Sequence, residues 1–183
     1  KNKTLVGGTK QVHMSKIKTL KPDIIICNKE ENTAEMIAEL SAIAPVWVSD
    51  INSISDCLLM ISAFGEIFDK TKEALQLITA IEKAKTDFEL FISGKPFRST
   101  CYFIWKNPYM VAGKGTFIDE MLHLNHFRNA VDKTRYPEID LADLKAVEVL
   151  LLSSEPYPFK EYDIENLKNK FPKAVVKLVD GEY

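Results

Sequence analysis

The sequence lacks the features by which membrane-spanning, nucleic-acid-binding and redox proteins are usually recognised. No apolar run approaches the roughly 20 residues that cross a bilayer as a helix. Its 24 Lys and Arg residues against 26 Asp and Glu residues leave a net charge of −2. The basic residues are spread along the chain, whereas a nucleic-acid surface needs a clustered basic excess. Cys27, Cys57 and Cys101 show no Cys-x-x-Cys spacing, so we predict small buried thiols rather than a redox or metal site.

The motifs of common catalytic sites are missing as well. There is no Gly-x-Ser-x-Gly nucleophile elbow, no His-Glu-x-x-His zinc motif and no Gly-x-Gly-x-x-Gly dinucleotide motif. Segment 113–116 reads Gly-Lys-Gly-Thr, which lacks the Walker spacing, and we interpret it as a structural turn. Glu120 and His123 would share one helical face, and His126 follows three residues later, but these residues are too few for a metal centre. We therefore predict no catalytic residue and no resident metal, although the residues alone leave an enzyme possible.

What the sequence does contain is 46% apolar residues in an alternating helix and strand pattern. After Pro22 comes the run Ile-Ile-Ile-Cys at 24–27, which is typical of a strand buried on both faces of a parallel sheet. The pattern predicts an α/β fold. Helices are expected at 11–20, 33–44, 53–68, 69–93, 116–124, 141–145 and 162–170, and strands at 23–27, 46–48, 99–105, 147–152 and 174–179. Thr33 and Thr116 are predicted to cap the helices that they begin, and either Ser53 or Ser55 is expected to start the helix that ends at Phe68.

The strongest helical signal covers residues 69–93. Asp69 is the predicted N-cap and Gly94 the predicted stop, with no Gly or Pro between them. About 24 residues at about 1.5 Å each give a rod of roughly 36 Å, longer than most helices of compact domains. The segment is either a long core-packing helix or a rigid connector between two lobes.

Three loops that follow predicted strands carry the candidate binding residues. These loops are 28–32, 106–115 and 153–159, and ligands of open α/β sheets bind beyond the carboxyl ends of strands. Large rings at such places suit a bulky planar ligand, although they could instead cover the sheet edge. The rings are Trp105, Tyr109, Tyr157 and Phe159.

Taken in order, eight stretches resemble the solute-binding proteins of ABC transporters for cobalamin and ferric siderophores, the helical-backbone metal receptor family. They are Val-Gly-Gly-Thr-Lys at 6–10, Ile-Lys-Thr-Leu-Lys-Pro-Asp at 17–23, Asn-Lys-Glu-Glu-Asn at 28–32, Pro-Val-Trp-Val at 45–48, Ile-Trp-Lys-Asn-Pro-Tyr-Met at 104–110, Gly-Thr-Phe-Ile at 115–118, Arg-Tyr-Pro-Glu at 135–138 and Ser-Glu-Pro-Tyr-Pro-Phe at 154–159. No single stretch is decisive, but their joint order and spacing are specific.

The resemblance implies a class III periplasmic-binding-protein-like fold, with two Rossmann-like α/β lobes joined by one long rigid backbone helix. The expected domains are a partial N-terminal lobe at 1–68, the backbone helix at 69–93 and a partial C-terminal lobe at 94–183. Members of this family have further elements before the Val-Gly-Gly motif and after the last strand, so we expect the chain to be truncated at both ends. A rigid connector limits hinge closure, so capture of the ligand should need only small motions.

The resemblance also implies the function and the site. Such receptors hold cobalamin, haem or a ferric siderophore between their lobes and deliver it to a membrane permease without doing chemistry. The matching ligand-binding positions are Lys29, Glu30, Glu31 and Asn32 in one lobe and Trp105, Tyr109, Tyr157 and Phe159 in the other. We expect a monomer in the periplasm or cell envelope, with a signal or lipid anchor upstream of residue 1, no nucleic-acid partner and no catalytic cofactor.

One departure from the family concerns docking. Family members carry an exposed glutamate on each lobe for the permease, and the matching positions here are Ser15 and His123. Glu120, one turn before His123, is the expected substitute. Two alternatives on the same fold stay open: an enzyme that handles a metal-containing ligand, with Cys27, His123 and His126 converging, and a binding protein that has left transport. The acidic pair Glu30–Glu31 favours a cationic or hydroxyl-rich ligand over a tri-anionic chelate.

Overall fold

A computed structural model describes residues 3–181. By its internal contacts the chain forms two compact units, the first ending at Ile51 and the second beginning at Asn52. The predicted domain boundaries at 68/69 and 93/94 stay predictions, and the terminal bounds at residues 1 and 183 lie outside the described residues. No helix within residues 3–181 is both long enough and apolar enough to cross a membrane.

The first unit has two parallel strands and two helices. Strand β1 (Ile25–Asn28) pairs in parallel with β2 (Val46–Ser49), and the helices are α1 (Met14–Leu20) and α2 (Ala34–Ser41). Thr33 caps α2 as predicted, because its hydroxyl accepts a hydrogen bond from the Met36 amide at 3.2 Å. The core of this unit is built from Ile17, Cys27, Met36 and Leu40.

The second unit is built around a five-stranded sheet. The strands are β3 (Arg98–Trp105), β4 (Met110–Val111), β5 (Phe127–Asn129), β6 (Val149–Ser153) and β7 (Val175–Val179). The main path runs β4-β3-β6-β7, and β5 also pairs with β3. β5, β6 and β7 run parallel to their neighbours, whereas β4 is antiparallel to β3. All five residues of β6 are buried, as its continuous apolar run predicted.

Four helices complete the second unit: α3 (Ile54–Ile67), α4 (Thr71–Ile92), α5 (Phe117–Leu124) and α6 (Glu161–Lys170). The hydroxyl of Ser53 accepts from the Asp56 amide, and that of Thr116 accepts from the Asp119 amide, both at 3.1 Å. The bond of Thr116 confirms the cap predicted for α5, and that of Ser53 shows that Ser53, and not Ser55, caps α3. The expected helix at 141–145 is only a short 3-10 turn, Leu141–Asp143.

Helix α4 is the long helix that the sequence predicted, and it packs against α3. A Cβ placed on Gly65 would lie 2.6 Å from the Cβ of Ala74, so glycine permits the close approach of the two helices. The predicted N-cap is wrong: Asp69 has a left-handed φ of 53° and α4 begins at Thr71. Two large apolar residues of α4, Leu77 and Phe91, are 51% and 66% exposed.

Candidate ligand-binding site

Trp105 and Tyr157 of the second unit lie where two of its parallel strands end. β3 ends at Trp105 and β6 ends at Ser153. Because these strands are parallel neighbours, their carboxyl ends lie at the same edge of the sheet. The Tyr157 amide donates to the Ile104 carbonyl at 3.3 Å, which fastens the loop after β6 to the end of β3.

Trp105 and Tyr157 form the exposed part of this edge. Their ring centroids are 5.5 Å apart with the planes at 70°, an edge-to-face contact that aromatic pairs prefer. Trp105 is 40% exposed and Tyr157 is half-buried. Phe159 contacts Tyr157 at 4.7 Å between ring centroids but is only 3% exposed. Phe159 therefore supports the ring of Tyr157 from within the core instead of offering a surface of its own.

Tyr109 belongs to a neighbouring surface. Its ring packs edge-to-face on the buried ring of Phe103, with 5.5 Å between the centroids. The remaining face of Tyr109 lines an open groove together with Glu138, Asp140 and Lys170. Through Phe103 and Phe159, whose centroids are 6.5 Å apart, Tyr109 is joined to the Trp105–Tyr157 edge by one continuous chain of ring contacts.

An ion pair of the second unit involves the residue that follows Trp105. Lys106 Nζ is 2.5 Å from Asp163 Oδ1, and the two side chains are only 15% and 3% exposed. The ammonium also lies 4.8 Å from the ring centroid of Tyr162, within the range of a cation–π contact. The hydrogen bond to Asp163 is the main cause that raises the pKa of Lys106 above its usual range, so Lys106 stays charged.

Tyr157 is bound into the same network. A side-chain hydrogen bond with Tyr162 is the main cause that raises the pKa of the Tyr157 phenol. The phenol therefore stays neutral at physiological pH. Asp163, at the start of α6, accepts in addition from the Lys160 amide at 3.0 Å. Together these bonds fix the loop after β6, and with it the ring of Tyr157, to the first turn of α6.

The predicted turn of the first unit follows β1 and is held on several sides. Lys29 pairs with Asp50, which follows β2, and Glu31 accepts from the Thr9 hydroxyl at 2.9 Å. Asn32 donates from Nδ2 to the Thr9 carbonyl at 2.8 Å. Two further interactions of the turn join Lys10 Nζ to the Glu30 carbonyl at 3.0 Å and to the Glu31 carboxylate at 3.6 Å. Lys29, Glu30, Glu31 and Asn32 thus form one ordered polar turn.

The docking candidate Glu120 lies in a different groove of the second unit, of about 180 Å³. That groove lies between α4 and α5, and Lys85, Glu89 and His126 also line it. His123 and His126 both pack on Phe97, at 5.3 and 4.4 Å between ring centroids. Ser15, the matching position of the first unit, is exposed in the first turn of α1.

The possible metal ligands and the three cysteines are the side chains that could have supported catalysis. Within residues 3–181, His, Cys, Asp and Glu do not gather into groups of three or more that could hold a metal ion. Cys27 and Cys101 are buried free thiols, as predicted, and burial raises the pKa of both. Cys57 is also free, but it is only partly buried, which corrects the prediction for that residue.

The sequence did not reveal that Lys106 pairs with Asp163, or that Tyr162 contacts Lys106 and Tyr157. Lys106 follows Trp105 directly, which was the one available hint, but Asp163 lies 57 residues further along the chain. No spacing rule connects two such residues, because their approach depends on the pairing of β3 with β6 and on the position of α6.

Comparison with known proteins identifies the family to which these two α/β units belong. The profile of the periplasmic binding protein family matches residues 1–168, so this chain belongs to that family. An uncharacterized ABC transporter substrate-binding lipoprotein of Bacillus subtilis, YvrC, is 30% identical over 146 residues. The match covers 72% of this chain and 45% of YvrC, so the chain spans less than half the length of this curated relative.

Solved structures show the same fold at low sequence identity. The vitamin B12 binding protein BtuF of Vibrio cholerae has a TM-score of 0.79 and 18% identity, over 95% of this chain and 71% of BtuF. The heme-binding protein HutB of Vibrio cholerae has a TM-score of 0.77 and 18% identity, over 96% of this chain and 74% of HutB. The predicted fold class is confirmed. The matched family is named for binding, and the B. subtilis relative is named for substrate binding in transport.

Proposed function

We propose that this chain is part of the substrate-binding component of an ABC importer, which binds a cobalamin, haem or ferric-siderophore ligand and delivers it to a membrane permease. The observation that carries the proposal is the Trp105–Tyr157 edge, in which two rings 5.5 Å apart stand at the carboxyl ends of parallel strands. Membership of the family and the name of the B. subtilis relative support the transport role. That name, a lipoprotein, also supports a location in the cell envelope outside the cytoplasm.

The proposal also assigns the residues that contact the ligand. In the second unit, Trp105 and Tyr157 contact the ligand directly, Phe159 supports them from the core, and Tyr109 extends the surface. In the first unit, the polar turn of Lys29, Glu30, Glu31 and Asn32 contributes hydrogen bonds. Its fixed geometry lowers the entropy lost on binding, because the side chains are already ordered.

A titration tests the binding function. Cyanocobalamin, haem and several ferric siderophores are added to the full-length protein while tryptophan fluorescence is followed. A chromophore bound at the edge should quench Trp105, so one ligand is expected to give saturable quenching. The Trp105→Phe variant should lose most of this quenching, whereas the Trp47→Phe variant should keep it. A saturable response from none of the ligands would reject the proposed function.

A second test concerns docking to the permease. Glu120 is the proposed docking carboxylate of the second unit, and charges at the rim of an interface act mainly through long-range attraction. Glu120→Gln is expected to weaken binding to the permease in lipid nanodiscs by about 5-fold at low salt, a change of roughly 1 kcal/mol. The matched control is Glu161→Gln, at the start of α6, which should bind as the unsubstituted protein does.

Equal binding by the Glu120→Gln and Glu161→Gln variants would remove Glu120 from the docking surface. Failure of the unsubstituted protein to bind any permease would instead favour the second candidate function, a binding protein outside transport. Ser15 and the packing of His123 on Phe97, in place of two exposed glutamates, are the observations that favour this candidate.

A further inference from the structure

The groove between α4 and α5, where Glu120 is the proposed docking residue, holds two of the three histidines of the chain. His123 and His126 both pack on the ring of Phe97, with 5.3 and 4.4 Å between the ring centroids. His123 is exposed and His126 is half-buried. Because histidine is the side chain that changes charge between about pH 5 and 8, the charge of this groove depends on pH.

The ring of His126 is held in place by two contacts. Its Nδ1 lies 2.7 Å from the carbonyl oxygen of Lys95. A carbonyl oxygen only accepts hydrogen bonds, so Nδ1 carries a proton and Nε2 is the nitrogen that gains or loses one. The ring is also stacked on Phe97, with an angle of 15° between the two planes. Protonation at Nε2 keeps both contacts and therefore adds a positive charge to the groove without releasing the ring.

The α4 side of the groove contributes no net charge. Lys85 Nζ lies 2.5 Å from Glu89 Oε1, and both residues line the groove. Lys95, which follows α4, places its ammonium 3.9 Å from the ring centroid of Phe91. Strand β5 packs against α5, and its one charged residue, Arg128, is exposed and outside the described lining of the groove.

The α5 side carries one uncompensated negative charge. Glu120 is half-buried, and within residues 3–181 its carboxylate has no ion-pair or hydrogen-bond partner. The neighbouring Asp119 is engaged, because it pairs with Lys114 at 3.6 Å and accepts from Asn129 Nδ2 at 2.9 Å. While the imidazoles are neutral, the groove is therefore acidic, and its electrostatic complement is a cationic side chain of a partner.

Acidification creates a competitor for Glu120 within the chain itself. His123 follows Glu120 by three residues, a spacing that makes two residues neighbours on the surface of a helix. A protonated imidazole one turn away attracts the carboxylate and repels a cation that approaches it. Since His126 gains its charge in the same groove, the net charge there changes from negative to positive.

We infer that this groove binds a cationic segment of the permease while His123 and His126 are neutral, and that protonation of the two histidines weakens docking as the surroundings turn acidic, over about pH 7 to 5. This inference rests on the proposed function and adds its regulation. Glu120 supplies the attraction, whereas the two histidines set the pH range in which it acts.

The test measures docking at two pH values. The full-length protein is bound to permease in lipid nanodiscs, at low salt, at about pH 7.5 and about pH 5.5. The affinity of the unsubstituted protein should be about 10-fold lower at the acidic pH, and the difference should shrink at high salt. In the double variant His123→Gln/His126→Asn the difference should fall below about 2-fold. The control is His13→Gln, at an exposed histidine of the first unit, which should keep the full difference.

A second pair of variants separates charge from shape. His123→Lys places a permanent positive charge beside Glu120 and should bind weakly at both pH values. His123→Gln changes the same exposed position without adding a charge, so it should bind more tightly than His123→Lys at about pH 7.5. Equal affinity of these two variants at that pH would show that charge at this position does not control docking, and would overturn the inference.

Three other outcomes also decide the matter. Equal affinity of the unsubstituted protein at the two pH values, or tighter binding at the acidic one, would overturn the inference and leave the proposed function standing. A full pH difference that persists in the double variant would come from other groups and would likewise overturn only the inference. Binding to the permease at neither pH would reject the transport role together with the inference.

Discussion

Lys106→Met is expected to lower the free energy of unfolding by about 3 kcal/mol, because removal of one partner from a buried ion pair leaves the other charge buried and uncompensated. Asp163 is the group left behind, and at 3% exposed it cannot regain its hydration without local rearrangement. Methionine fills most of the space of the lysine stem, so the loss is mainly electrostatic. Urea unfolding at neutral pH, followed by circular dichroism, measures it.

The control for this variant is Lys83→Met. Lys83 pairs with Asp87 on the exposed face of α4, where the side chains are 73% and 60% exposed, and such surface pairs contribute about 0–1 kcal/mol. If the two variants lose equal stability, the Lys106–Asp163 pair has no special role in the second unit.

The pH dependence of the same effect follows from the raised pKa of Lys106. A raised pKa in the folded protein means that folding strengthens proton binding, so the contribution of Lys106 is complete below the ordinary lysine pKa of about 10.4. The contribution is lost as pH rises through the higher pKa of the folded protein. The stability difference between the unsubstituted protein and Lys106→Met should therefore stay constant up to about pH 10 and narrow at higher pH, and a difference that does not narrow there would contradict this account.

Trp105→Ala is expected to weaken ligand binding about 30-fold, a loss of roughly 2 kcal/mol. Trp105 is the large exposed ring of the proposed site, and its contact with Tyr157 fixes its orientation before the ligand arrives. A partly exposed tryptophan held in this way loses little entropy on binding. Calorimetry is the suitable measurement, because the variant also loses the fluorescent reporter.

Two variants make the Trp105 prediction specific. Trp105→Phe keeps a ring at the edge and should recover much of the affinity. Phe91→Ala removes a 66% exposed ring from α4 and should leave ligand binding unchanged. Equal affinity in Trp105→Ala and the unsubstituted protein would show that the ligand does not contact this edge.

Much of the local structure could be predicted because its causes lie close together in the chain. The caps Thr33, Ser53 and Thr116 each satisfy an amide three residues ahead, and this spacing can be read from the sequence. Strands β4 and β5 were missed because they have only two and three residues, too few to show a period. Asp69 resembled an N-cap, but the link between α3 and α4 required a left-handed residue there.

For the candidate binding site, the sequence identified the segments that carry it but not the role of every residue in them. It determined by itself the alternating α/β order, the buried strand β6, the family and the aromatic and polar residues that follow the strands, because these depend on local pattern and motif order. Only the tertiary structure decided that Phe159 faces the core, that Tyr109 lines a neighbouring groove and that Lys106 meets Asp163. Those outcomes depend on how β3, β6 and α6 pack, since contacts between distant residues arise from strand pairing and helix placement.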